Sequence, residues 1–342
     1  MKAIKFFAIT AMAAAMITSC SNEDELSQSN YPSDNIVRVT AGVNNAKTRA
    51  DGAGTELKND FSLTIVNKNA ESTLASKYTY IDKVFSKGSG DWACSETLLW
   101  QNSETPVDIV AFAPAQEGKF NGVYAEGSIQ PITYSVADDQ STSSENNDLL
   151  YYYAPGFNPG TSLVDKKLNI QFNHAFCMID INVTLGTEFN KPEILKNSPI
   201  TQVILGGTKT AANVDVKNAA TGSTEGSTTT TTVSVVTASG EATDITATNG
   251  SFTPAANAES YSHSTFSCIA IPQTVGAGTF KVSLLTAGKR YEWTSADAVE
   301  LKSGYRYTLN LSMGNDVVLL KGGSISATPW TEITGLKPLE TE

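Results

Sequence analysis

The sequence predicts an all-β protein made of two tandem antiparallel β-sandwich domains, and three observations carry that prediction. Short segments alternate apolar and polar residues with the period of two that a half-buried strand requires. Clusters of Gly, Pro, Ser, Asn and Asp separate them, as turns demand. No stretch keeps a helical period apart from an apolar run at the amino terminus.

Taken in chain order, the first such segment covers residues 36–43, with Val37, Val39, Ala41 and Val43 on one face. It stops at residues 44–54, where small, flexible residues surround Arg49, so this stretch is expected to be a protease-accessible loop. Phe61, Leu63 and Ile65 then alternate with Ser62 and Thr64, and residues 78–81 and 107–112 are β-rich. Residues 88–91 and 137–147 carry loop chemistry, and 155–160 read as a sharp break, which places a domain boundary near Val164. Beyond it, Leu168, Ile170, Phe172 and Phe176 occupy even positions while Ile179, Ile181, Val183 and Leu185 occupy odd ones. A one-residue slip turns a strand over, so a bulge or bend is required near residues 176–179. The Ser/Thr/Gly run at 221–232 is expected as a surface loop or edge hairpin. Tyr305, Tyr307, Leu309 and Leu311 alternate with polar residues and form the clearest half-buried strand.

Composition narrows the function. The 342 residues hold 24 Lys+Arg against 35 Asp+Glu, a net charge of −11, which disfavours nucleic acid or an anionic membrane as partner. Apolar residues at 40% exclude a wholly disordered chain. Only two His and four Cys are present. His174 lies between Phe172 and Phe176 on the apolar side of its strand, which favours a satisfied core histidine over a catalytic base. Cys177, three residues on, points the opposite way along a strand. Cys94, Cys177 and Cys268 lack the C-x-x-C spacing of a redox or zinc site and read as buried, inert thiols; their odd number leaves at least one free. Asp138 and Asp139 sit in a Ser/Asn loop without the spaced ladder that calcium needs. Residues 205–210 lack the Gly-Lys of a phosphate loop, and Gly276 and Gly278 are an equally weak match. Trp92, Trp100, Trp293 and Trp330 are dispersed, and with Tyr151, Tyr152 and Tyr153 they suit core packing better than a glycan platform. No catalytic, cofactor or metal site emerges, and the protein is not expected to be an enzyme.

The amino terminus sets the compartment. Lys2 and Lys5 precede an apolar stretch at 6–17, followed by Thr18, Ser19 and Cys20. A basic start, a short apolar core and small residues before a cysteine make a bacterial lipoprotein signal over residues 1–19, with Cys20 as the lipidated residue. Export follows, and the acidic run after Cys20 resembles a tag that sends lipoproteins to the outer membrane.

This order of features resembles the fimbrillin family, the subunits of type V pili. A lipoprotein signal, one strand, the accessible Thr48-Arg49-Ala50, Phe172-Asn173-His174-Ala175, Gly304-Tyr305-Arg306-Tyr307 and the closing Ala327-Thr328-Pro329-Trp330 carry the resemblance. The acidic Glu23-Asp24-Glu25 is similar to the tag that places such lipoproteins on the outer face of the membrane. The resemblance implies transthyretin-like sandwiches at 50–164 and 165–342 behind a propeptide at 20–49. It implies cleavage by a trypsin-like, arginine-specific protease between Arg49 and Ala50, and removal of the strand bearing Val37, Val39, Ala41 and Val43. The opened groove would accept a strand from a neighbouring subunit, and residues 324–339, with Ile325, Ala327 and Trp330, would be this chain's own donor. A stalk subunit is favoured over a tip subunit, in an extracellular fimbrium that supports adhesion to a host or bacterial receptor. The alternative is a surface lipoprotein that binds glycan or host ligand without polymerising. Removing residues 1–49 takes away five basic and four acidic residues and leaves 293 residues with 19 Lys+Arg against 31 Asp+Glu, or −12. The acidity therefore belongs to the β body.

Overall fold

The structure, a computed structural model, describes residues 30–44, 55–88, 90–116, 118–125, 127–143, 147–190, 193–219, 234–321 and 325–330. Cys20, Arg49, Ala50 and residues 221–232 and 331–339 lie outside them.

Strands dominate. The first stretch of chain forms β1 (Val39–Val43), β2 (Thr55–Glu56), β3 (Phe61–Asn67), β4 (Tyr80–Lys87), β5 (Trp92–Cys94), β6 (Val107–Ala113), β7 (Tyr124–Ala125), β8 (Ser128–Ile129), β9 (Ile132–Ser135) and β10 (Leu150–Phe157). The middle forms β11 (Leu168–His174), β12 (Cys177–Leu185), β13 (Ile200–Gly206), β14 (Lys209–Val214), β15 (Val236–Ala242), β16 (Ile245–Thr246), β17 (Thr248–Thr253) and β18 (Ser262–Ala270). The last stretch forms β19 (Gln273–Val275), β20 (Lys281–Thr286), β21 (Arg290–Thr294), β22 (Val299–Leu301), β23 (Tyr305–Met313), β24 (Val318–Leu320) and β25 (Ser326–Pro329). Among the described residues, helix is confined to short segments such as Ser72–Lys77 and Pro159–Ser162.

An eight-stranded sheet, in the order β2-β1-β11-β10-β6-β3-β4-β5, builds the first lobe. Its two ends meet: Ile36 bridges Leu99, Val37 N–H donates to Leu98 O at 2.9 Å, and Trp100 N–H donates to Asn35 O at 2.8 Å. The sheet thus wraps a core of Phe61, Leu63, Ile65, Ile109, Phe172 and their neighbours. Phe61 stacks on Phe85 and meets Trp92 and Phe172 edge-on. The second core lies between the sheet β17-β18-β12-β23-β24, with β25 also on β23, and the smaller sheets β16-β13-β20-β21 and β15-β14-β9. It also takes in Val66, Val110 and Phe112, so β3 and β6 are buried along their whole length, on both faces. The expected antiparallel pairing holds for most ladders; β1 on β11 and β12 on β23 are parallel.

The required bend is present. Leu168, Ile170, Phe172 and His174 face inward on β11, Ala175 and Phe176 turn the chain, and Cys177, Ile179, Ile181, Val183 and Leu185 face inward on β12. The strand pairing divides the chain elsewhere than at Val164. β10 and β11 flank that residue and share the first sheet, which the chain leaves only after His174, while β9 already pairs with β14 of the second core. The break read at 155–160 also comes later, because β10 absorbs Pro155 and Gly156 through a register shift between Ala154 and Phe157. Residues 205–210 are a tight turn by which the chain passes from β13 in one sheet to β14 in another. At Gly207, φ is +87° and an added Cβ would stand 2.0 Å from Thr279 O, so close backbone approach explains the glycine.

Candidate assembly site

Along residues 37–43 the apolar Val37, Val39, Ala41 and Val43 alternate with Arg38, Thr40 and Gly42, and that alternation turns one face to the core. Val37, Val39 and Val43 are buried, and Ala41 packs half-buried against the same core. Burying each valine is worth about 1.5–3 kcal/mol relative to exposure. On the other face Arg38 is exposed and pairs with Asp34, whose carboxyl the guanidinium holds well below the usual carboxylate range.

The partner of β1 is β11, in register from Val39 opposite Leu168 to Val43 opposite Phe172. Leu168 N–H donates to Arg38 O at 2.8 Å and Asn44 N–H donates to Phe172 O at 2.7 Å. In a parallel ladder alternate residues make the bonds, so the even-numbered residues of β1 face β11. Outside, Thr40 Oγ1 donates to Asn169 Oδ1 at 3.3 Å and Asn44 Nδ2 donates to Asn173 Oδ1 at 2.9 Å. β2 covers only Gly42 and Val43 on the far side. β1 is therefore a near-edge strand whose inner face completes a core. Without it the fully buried Leu168, Ile170 and Phe172 would line an open groove.

The carboxyl-terminal segment is packed at home. β25 runs antiparallel to β23, from Ser326 opposite Thr308 to Pro329 opposite Tyr305. Ile325 is half-buried, all four residues of β25 are exposed, including Ala327, and Trp330 is buried. Trp330 stacks on His174, with ring centroids 3.8 Å apart and planes 13° apart. His174 Nδ1 lies 2.6 Å from Asp148 Oδ2, and Asp148 Oδ1 is buried without a hydrogen-bond partner. His174 is thus the satisfied core histidine the sequence suggested. Its stack with Trp330 was not legible, because the two rings are 156 positions apart and no local pattern links them.

Other groups singled out in the sequence are structural. Tyr151 and Tyr153 pack on the second core and Tyr152 on the first, as alternate faces of β10 require. Trp92, Trp100 and Trp293 meet Phe61, Phe157 and Phe280. Cys177 and Cys268 are buried on adjacent strands, Cys177 Sγ donating to Ala270 O at 3.2 Å, while Cys94 is half-exposed. Burial pushes the Cys177 thiol up, with Cys268 and Asp148 adding to it, and pushes Cys268 up to about 12. Asp138 and Asp139 turn their carboxylates on their own loop, receiving Asp139 N–H and Ser141 N–H. Among the described residues no group of three or more His, Cys, Asp or Glu could hold a metal ion.

The described residues thus form an all-β body with two cores, and its first strand closes one of them. The chain belongs to the fimbrillin-like family, whose model matches residues 48–330, from the residue before Arg49 to Trp330. Solved structures agree on the fold. A protein described as a cell adhesion protein from Bacteroides ovatus is 16% identical, with a TM-score of 0.58 over 87% of this chain and 99% of its own. Another, from Bacteroides uniformis, is 15% identical, with a TM-score of 0.53 over 88% of this chain and 100% of its own. A search of curated proteins gives no match.

Proposed function

We propose that this protein is a structural subunit of a cell-surface pilus, exported as a lipoprotein lipidated on Cys20 and matured by cleavage between Arg49 and Ala50. The observation that carries this reading is β1. With Val37 just ahead of it, it supplies three valines to the first core, holds one complete ladder, and leads through residues 45–54, Arg49 among them, into the body. Cutting after Arg49 breaks the covalent link between β1 and the body it packs against, so that β1 can leave. A groove lined by Leu168, Ile170 and Phe172, with unpaired backbone on β11, is costly in water and is refilled by a strand from another subunit. Donation from one subunit to the next does not close on itself and grows a filament. The carboxyl-terminal segment, with Ile325, Ala327 and Trp330, is the donor of a stalk subunit, and it must first leave β23. The cell adhesion proteins among its structural neighbours agree with a role in attachment.

The test is direct. Treating the purified precursor with an arginine-specific protease yields Ala50 as the new amino terminus, followed by filaments in electron micrographs. A precursor that stays uncut at Arg49, or a cut product that never polymerises, overturns the reading.

A further inference from the structure

The ladders around β11 are unequal. Residues 168–172 pair with β1 alone, because β10 reaches β11 only at Leu150 opposite His174 and Tyr151 opposite Asn173. The end that β10 holds is the end on which the carboxyl-terminal segment is seated. Trp330 stacks on His174 there, Trp330 N–H donates to Gly304 O at 2.7 Å, and Gly304 N–H donates to Phe176 O at 2.9 Å, in the bend that follows β11. In the described part of that segment Trp330 is the one buried side chain.

We propose that β11 is a lever between the two ends of the chain, and that the His174–Trp330 stack is an autoinhibitory latch which β1 keeps closed. Resting on the strand-removal reading above, the sequence of events is simple. While β1 is present, β11 is laddered from end to end, and His174 and the 175–176 bend hold Trp330 and hence β25 on the body. Loss of β1 strips residues 168–172 of their only strand partner and leaves β11 hinged at Asn173 and His174. The seat of Trp330 loosens with it. A subunit therefore frees its donor segment only once its own groove has opened, and intact precursors do not cross-link on the cell surface.

Amide hydrogen exchange, read by mass spectrometry on peptides spanning 168–174 and 325–330, tests this. Both are slow in the intact precursor. Cleavage after Arg49 speeds exchange in both, by about tenfold in 326–330, the scale set by losing one buried aromatic contact. In uncleaved protein His174→Ala speeds 326–330 alone, whereas His174→Phe, which keeps a ring under Trp330, leaves it slow. Acceleration of 168–172 on cleavage with 326–330 unchanged overturns the lever. Slow exchange of 326–330 in His174→Ala overturns the latch whether or not β1 departs. No change in either peptide after a verified cut overturns strand removal itself, and the His174→Ala arm then judges the latch alone.

Discussion

Cys177 and Cys268 show how a single buried side chain carries a measurable signature. Both face inward where β12 and β18 pair, and both thiols are raised above their ordinary value by burial. A group whose folded pKa lies above its unfolded one lends stability that is complete below the unfolded value and lost as pH rises through the folded value. For Cys268 the window runs from 9.0 to about 12. Denaturant unfolding across it shows stability falling as pH rises, and Cys268→Ala flattens part of the fall. Cys177 adds to the fall, as do Tyr134 and Tyr307, both also pushed up to about 12 by burial. At neutral pH a maleimide reagent labels Cys94 in the folded body and reaches Cys177 and Cys268 only after unfolding. The sequence, lacking any C-x-x-C, suggested buried thiols at all three positions; Cys177 and Cys268 are buried but Cys94 is half-exposed, and the placement of the first two on adjacent strands depends on a register between segments about ninety residues apart.

Among the strands, β1 and β11 invite a paired experiment. Val39→Ala removes a side chain that belongs to the core only while β1 is attached, so it lowers the stability of the precursor by about 1–3 kcal/mol and leaves the cleaved body unchanged. Phe172→Ala empties a site in β11 itself and lowers both, by about 3–5 kcal/mol. Denaturation midpoints before and after cleavage distinguish the two; equal losses in both forms for Val39→Ala would place β1 permanently in the fold. These strands were readable because alternation is a local property. Val37, Val39, Ala41 and Val43 announce their inner face, as do Tyr307, Leu309 and Leu311. The bend between His174 and Cys177 was readable too, from the change of parity. The division between lobes was not: the break near residue 160 is real chain punctuation, yet β11 returns to the first sheet because its apolar face fits under β1 and Phe61.

For the molecule as a whole, charge and burial act together. The body carries the acidity, so cleaved subunits at low ionic strength repel one another as they approach. Light scattering after cleavage shows faster polymer growth when salt is raised from roughly 0.01 to 0.15 M, which shortens the screening length from about 30 to 8 Å. An unchanged rate would mean that the acidic surface faces away from the contact between subunits. Periodicity and turn chemistry are properties of neighbouring residues, and they sufficed for an all-β chain whose first strand turns Val37, Val39, Ala41 and Val43 to a core. Which strand each segment joins is settled by closing loops of up to a hundred residues or more and by fitting faces into a shared core. Neither leaves a mark on the local pattern, so the dependence of β11 on β1 and the seat of Trp330 on His174 emerge only when the chain is folded.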